Sequence, residues 1–376
     1  MTDRGLFPHY MIKEIFEQPQ SLRATIDGRV SLQEGSVHIE EDIGLTRKQL
    51  GELRRISIVA SGTSRHAGMV GRYMIQKLAN LPVDIEYASE FELCDLNLDP
   101  AELTIVITQS GETADTSAAQ RKAKARGSRT LAISNVVDSM IAREADGVLY
   151  THAGPEISVA STKAFTAQMV VLFLFALHLG GVRGTMQCEQ VKSYVEELAD
   201  LPAKLELVLE SAGKCDLLAE KYQSFEDCLF LGRGVHYPVA MDGALKLKEV
   251  SYVHAEGYPT DETKHGPNAL INESLPLVIL STCEAMDPGS VSRHRRDLAA
   301  VKKFKQQSAQ IIALASEGDE ELSKLADDTI YIPQISELLA PVLEIVPLQM
   351  FAYYMAVRRG LNVDRPRNLV KSVTAQ

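Results

Sequence analysis

Leu103-Thr104-Ile105-Val106-Ile107-Thr108, then Gln109-Ser110-Gly111-Glu112-Thr113, then Ala114 to Ala125, sets three kinds of sequence end to end. The first six residues are apolar or β-branched and read as a strand buried on both faces. The next five are polar around a glycine, which suits a tight loop. The last twelve are rich in Ala and Lys and read as a helix. Strand, polar loop and helix in that order form the repeating unit of a parallel sheet covered by helices on both faces.

The unit recurs on either side. Ile56 to Ala60 reads as a strand, Ser61-Gly62-Thr63-Ser64 as a loop, and His66 to Leu81 as a helix; Asp84 to Tyr87 and Thr130 to Ser134 add two more strands. The pattern returns about 170 residues later. Leu229 to Leu231 with Gly232-Arg233-Gly234 parallels the first strand and loop, Leu277 to Ser281 parallels Leu103 to Thr108, and Ile311 to Ala315 parallels Thr130 to Ser134. Ser281-Thr282-Cys283-Glu284 faintly echoes Gln109 to Glu112. The expectation is α/β: two tandem doubly wound parallel-sheet domains, each a three-layer α/β/α sandwich. The expected divisions are a helical segment over 1–45, a first domain over 46–200, a second over 201–358 and a tail over 359–376. Gln187 to Tyr222, with Pro202 inside it, reads as connecting helices because Gly and Ser are sparse.

Composition narrows the class. The chain has 376 residues, 45% hydrophobic and 24% charged, which fits two domains of ordinary size. A net charge of -11 argues against nucleic acid as a partner, since phosphate backbones are drawn to basic surfaces. A single phosphate group needs only a few aimed donors, so a small phosphorylated ligand stays open. The five cysteines, Cys94, Cys188, Cys215, Cys228 and Cys283, are scattered and odd in number, which favours the cytoplasm over an oxidising compartment. Met169 to Leu179, interrupted by His178, is shorter than the roughly 20 apolar residues a bilayer needs, so no membrane partner is expected. Met1 to Tyr10 has no apolar signal region.

Three clusters could carry chemistry. Thr108 to Thr113 sits where a strand ends and a helix begins, and its hydroxyls together with free helix N–H groups suit a phosphate. Ser and Thr are also the usual N-cap residues, so spacing alone leaves both readings open. Ser61 to Ser64 is a second loop of the same kind; neither loop carries a nucleotide-binding glycine signature. In the second half, Asp242, Lys246 and Glu249 fall on one face of a helix expected to start near Ala240, ahead of His254, Glu256 and Lys264-His265-Gly266-Pro267. They make either a solvated ion-pair face or a carboxylate, lysine and histidine set for moving a proton between adjacent carbons. A metal site is not expected, because His254-x-Glu256 lacks a zinc partner motif.

Motifs in a fixed order turn these clusters into a resemblance. They are Ser61 to Ser64, Ala88-Ser89-Glu90-Phe91, Gln109 to Thr116, Val159-Ala160-Ser161-Thr162-Lys163-Ala164-Phe165-Thr166, Gly243 to Glu249, Lys264 to Pro267, and Pro366-Arg367-Asn368-Leu369-Val370-Lys371-Ser372-Val373-Thr374. Together they resemble the isomerase part of the glucosamine-6-phosphate synthase family, built from two sugar isomerase (SIS) domains. The resemblance spans nearly the whole chain, from His9-Tyr10-Met11 onward.

What it implies is a cofactor-free isomerase acting on a phosphorylated hexose or hexosamine, with amination or deamination at the second carbon. Thr108, Gln109, Ser110 and Thr113 would hold the phosphate, and Ser64, Val159, Ser161 and Val370 would line the sugar. Glu249 would shuttle the proton, Lys246 would stand near the second carbon, His265 would open the ring from the neighbouring subunit of a homodimer, and Lys371 would form a Schiff base. Some positions depart from the pattern. Thr108 stands for a Ser, Asp242 for a Glu, Arg65 for a Tyr and Val370 for an Ala, while Thr2 stands where a glutaminase would have its nucleophilic Cys. The expectation is therefore a chain without its own glutaminase, working with free ammonia or with a separate glutaminase. A sugar-phosphate sensor would need the loop without Glu249, His265 and Lys371 together.

Overall fold

The structure of the chain, a computed structural model, describes residues 3–93 and 99–372; Thr2, Cys94, Val373 and Thr374 lie outside the described residues. Val30–Ser31 (β1) and Ser36–Val37 (β2) pair as a short antiparallel hairpin. Ten further strands form two parallel sheets of five. The first contains Arg55–Ala60 (β3), Val83–Tyr87 (β4), Glu102–Thr108 (β5), Arg129–Ser134 (β6) and Gly147–Tyr150 (β7), in the order β4-β3-β5-β6-β7. The second contains Asp227–Gly232 (β8), His254–Pro259 (β9), Leu277–Leu280 (β10), Ile311–Ser316 (β11) and Asp328–Ile332 (β12), in the order β9-β8-β10-β11-β12. The strand order is the same in both, and in each it reverses beside the central strand. Loops at the carboxyl ends of the strands flanking that reversal border the crevice where doubly wound sheets take ligands.

The chain divides into two compact units. The N-half unit comprises Glu17–Glu156, Lys163–Pro202 and the residues from Val370; the C-half unit comprises the residues up to Phe16 together with Ile157–Thr162 and Ala203–Leu369. In the N-half unit β5 pairs with β3 and β6 in register, Ile105 opposite Ile58 and Leu131. Val59, Val106 and Ala132 on one face pack on Ala119 and Ala123 of the helix Ala114–Ala125, and on Ile141. In the C-half unit Leu229, Leu277, Ile279 and Ile311 pack on Leu298, Val301 and Phe304 of the helix Pro288–Gln306. Each such Val, Leu, Ile or Phe side chain withdrawn from water contributes about 1.5–3 kcal/mol.

Several expected bounds shift. The helix expected over His66 to Leu81 runs Gly62–Ala79, and the one expected from near Ala240 begins at His236, because Pro238 falls in the first turn, where an N–H is not needed. The apolar run at Met169 belongs to a 21-residue helix, Lys163–Arg183, long and apolar enough to cross a membrane by length and composition. Ala340–Arg358 passes the same test, yet 89% of each apolar window is buried inside the protein, as in core helices. The run is a buried helix because the fold encloses it, and not because it is too short.

Candidate active site

The crevice loops of the N-half unit follow β3 and β5. Thr108 ends β5 almost fully buried, and its Oγ1 accepts from the Gly111 N–H at 3.1 Å and lies 3.3 Å from the Thr113 hydroxyl. Ser110 Oγ accepts from the Glu112 N–H at 3.2 Å. Gly111 has φ +71, and a Cβ there would lie 1.9 Å from Ser139 Oγ, so only glycine fits the turn. The Glu112 carboxylate accepts from the Met140 N–H at 2.9 Å and ties the loop to the next helical turn. Thr113 occupies the N-cap position of the helix Ala114–Ala125 but makes no side-chain cap hydrogen bond. The first N–H groups of that helix are therefore left without the cap that a Thr in this place ordinarily provides, and Gln109, Ser110 and Thr113 are half-buried beside them. After β3, Ser64 is half-buried in the helix Gly62–Ala79 and its Oγ accepts from Gln168 Nε2 at 3.0 Å. Arg65 lays its guanidinium 3.7 Å from the centre of the Tyr87 ring, a cation–π contact.

Lys371 belongs to this unit as well. Its ammonium is paired with Glu156, whose carboxylate is fully enclosed and accepts the Ala164 N–H at 3.2 Å through its other oxygen. Val370, beside it, is exposed.

In the C-half unit the helix His236–Ser251 carries Lys246 and Glu249 one turn apart. Lys246 is 0% exposed and donates to Glu249 Oε2 at 2.6 Å, while Glu249 is only partly covered. Asp242, one turn earlier, is likewise buried, so this face is not a solvated ion-pair surface. His265 closes the 3-10 helix Thr260–His265 and is exposed. The start of that turn is tied down through Asp261, which accepts from Arg233, from Lys264 at 2.6 Å and from Arg296 at 2.5 Å. Val159 and Ser161 are half-buried in Ile157–Thr162, a segment fixed by the buried Glu14, which accepts the Ile157 N–H at 2.5 Å, and by the Val159 N–H donating to the Asp364 carbonyl at 3.2 Å. Thus Lys246 touches Glu249, Thr108 touches Thr113, and Lys371 meets Glu156, which no motif marks. Its only sequence signal is a lone acid at Gly154-Pro155-Glu156 just before the Val159 motif. His254 and Glu256 lie in the edge strand β9 and not on the Lys246 helix.

Comparison with known proteins places this geometry. The SIS domain family matches residues 49–178 and again 224–359. The chain belongs to the SIS family. Over its full length this SIS chain is 46% identical to the glutamine–fructose-6-phosphate aminotransferase (isomerizing) of Chlorobaculum tepidum, and it spans 59% of that relative's length. Among solved structures it is similar to the C-terminal domain of glucosamine-fructose-6-phosphate aminotransferase from Francisella tularensis, with 34% identity and a TM-score of 0.90, covering 97% of this chain and 100% of that one. Glucosamine-6-phosphate deaminase from Thermotoga maritima shares the fold, with a TM-score of 0.74, 22% identity, and coverage of 98% and 100%. Both five-stranded sheets thus belong to SIS domains, one holding the hydroxyl loop and the other the Lys246–Glu249 pair.

Proposed function

We propose that this chain interconverts a ketose 6-phosphate and a 2-amino aldose 6-phosphate, moving a proton between the first two sugar carbons and adding or removing nitrogen at the second. The observation that carries the reading is the Lys246–Glu249 pair, a fully enclosed ammonium 2.6 Å from a carboxylate that remains partly open. A carboxylate held in this way can take a proton from one carbon and return it to the next, and the fixed ammonium offsets the negative charge that develops on the neighbouring oxygen.

The remaining residues take roles around that step. Thr108, Gln109, Ser110 and Thr113 hold the phosphate at an uncapped helix start, and Ser64, Val159, Ser161 and Val370 line the sugar. His265, exposed at the end of its turn, opens the ring in the site of a second copy of the chain, which makes the working unit a homodimer with shared sites. Lys371 condenses with the ketose carbonyl, releasing water; ammonia then displaces the lysine from the imine, and Glu249 completes the proton shift. Ammonia comes from solution or from a glutaminase, whether in the same polypeptide or on a separate chain, and the reaction belongs to the cytoplasm. Burial pushes the Cys215 thiol up to about 12 and raises Cys228 further, as suits packing rather than nucleophilic roles.

A paired assay tests the reading: ammonia release from glucosamine 6-phosphate, and glucose 6-phosphate formation from fructose 6-phosphate. Ammonia release is expected; isomerisation with none would remove the nitrogen chemistry from the proposal. Mixing inactive Glu249→Gln and His265→Ala proteins should restore partial activity as subunits exchange, and no recovery after demonstrated exchange would rule out shared sites.

A further inference from the structure

The C-half unit contains a cavity of about 390 Å³ between the turn Thr260–His265 and the helix Pro288–Gln306. Its wall is unevenly charged. Arg233, Lys264, Arg296 and Lys303 line it against one carboxylate, Asp261. That carboxylate already serves three of the four cations, and the Arg233 guanidinium, with Lys264 next, holds it well below the usual carboxylate range. Arg233 draws a second counterion from Asp297, which also pairs with Arg293 at 3.1 Å. Lys303 has no ion-pair partner among the described residues. The wall as it stands therefore attracts an anion.

Two neutral atoms on the same wall are also unsatisfied. Thr260 is 1% exposed, and its Oγ1 has no hydrogen-bond partner; Asn268 Oδ1 is buried and likewise unpaired. A buried polar atom left unpaired costs free energy, and a ligand that completes it recovers that cost on binding. We propose that this cavity is a binding site for a small hydroxyl-bearing phosphate monoester, separate from the Thr108 to Thr113 loop of the other unit. The phosphate oxygens accept from Arg296, Lys303 and the Thr260 hydroxyl. A hydroxyl on the ligand donates to Asn268 Oδ1, and the carbon chain lies on Ala300 and Phe304.

The test uses the full chain carrying Ser110→Ala and Thr113→Ala, so that the loop does not compete, and it reads binding without turnover. It therefore succeeds or fails independently of the isomerase reading. By calorimetry, glycerol 3-phosphate should bind with one equivalent per chain and at least fivefold more tightly than inorganic phosphate. Adding Arg296→Gln and Lys303→Gln, both at the surface, should weaken that binding at least tenfold. Thr260→Val should raise the Tm of the unliganded protein, because an unpaired hydroxyl is removed, and should abolish the rise in Tm caused by glycerol 3-phosphate. No binding, or binding that Arg296→Gln and Lys303→Gln leave unchanged, overturns the site. Equal affinity for inorganic phosphate overturns the ester and leaves a plain anion.

Discussion

Beside β3 and β5 the crevice loops present Gln109, Ser110 and Thr113 half-buried, next to a helix start that no side chain caps. Beside β8 and β10, in a sheet of identical strand order, the corresponding hydroxyls are consumed. Ser281 donates to Asp297 at 3.1 Å, and Thr282 donates to Glu344 at 2.6 Å. Around them Arg233 pairs with Asp297, Arg293 with Glu337 at 3.0 Å, and the fully buried His236 with Glu344 at 2.7 Å. The same topology thus yields an open polar loop in one half and a closed ionic core in the other. Topology offers the crevice, and side chains decide whether a ligand or the protein itself fills it.

The closed half compensates by carrying the Lys246–Glu249 pair, so in the proposed reaction phosphate binding falls to one SIS domain and proton transfer to the other. Glu249→Gln is the sharpest way to break that assignment. Loss of a general base costs about 10²–10⁴ in rate. Ammonia release should therefore fall by about that factor while sugar-phosphate affinity, measured by calorimetry, stays within about threefold. Retained turnover would leave the C-half domain with a structural role only.

The second prediction contrasts the two sets of hydroxyls. Ser110→Ala with Thr113→Ala should weaken sugar-phosphate binding by about 10²- to 10⁴-fold with little change in Tm, since each of the two lost hydrogen bonds to a charged group is worth about 1.5–3 kcal/mol. Ser281→Ala with Thr282→Ala should do the reverse, lowering stability by about 1.5–3 kcal/mol per hydrogen bond lost to a carboxylate, since Asp297 keeps Arg233 and Glu344 keeps His236, and leaving phosphate affinity unchanged. Equal losses of affinity from both pairs would erase the difference between the crevices.

How far the sequence reveals this depends on what each residue's environment adds. The inner strands β3, β5, β6, β8, β10 and β11 are legible because burial on both faces demands apolar runs such as Leu103 to Ile107. Of the outer strands, β4 is read as Asp84 to Tyr87, but β7, β9 and β12 are not: β9 reads His-Ala-Glu-Gly-Tyr-Pro, with His254 exposed and Glu256 half-buried, because an edge strand needs no continuous apolar face. The hydroxyl loop and the Lys246–Glu249 spacing are local patterns and can be read directly. Glu156, which meets Lys371, and Glu14, which pins Ile157, act across more than 140 residues, and no local pattern announces such a partner. His236 and Glu344 are equally hidden, the first at the start of a helix whose other charges lie further along and the second as a lone acid in an apolar helix, until the fold joins them.

That buried pair gives the smallest and most specific prediction. Burial and Arg293 both oppose a charge on His236, but Glu344 and Glu337 outweigh them and raise its pKa above the ordinary 6.5. A group whose pKa is raised by folding stabilises the protein fully below the unfolded value and loses that contribution as pH climbs through the folded value. The stability difference between the wild-type protein and His236→Gln should therefore be constant from about pH 5 to 6.5 and then shrink, by about 1.4 kcal/mol per pH unit, until the pH passes the folded pKa. Glu337 sets the other flank. Burial alone would raise its pKa, but His236 and Arg293 bring it down to about 2, so its contribution is present above 4.5 and is lost as pH falls toward 2. Urea unfolding of wild type, His236→Gln and Glu344→Gln across this range separates the two flanks. If the difference for His236→Gln widened as pH rose, His236 would be neutral in the folded state. The His236–Glu344 contact would then be a hydrogen bond from a neutral imidazole, and the charge pairing of the closed crevice would rest on Arg233 and Arg293 alone.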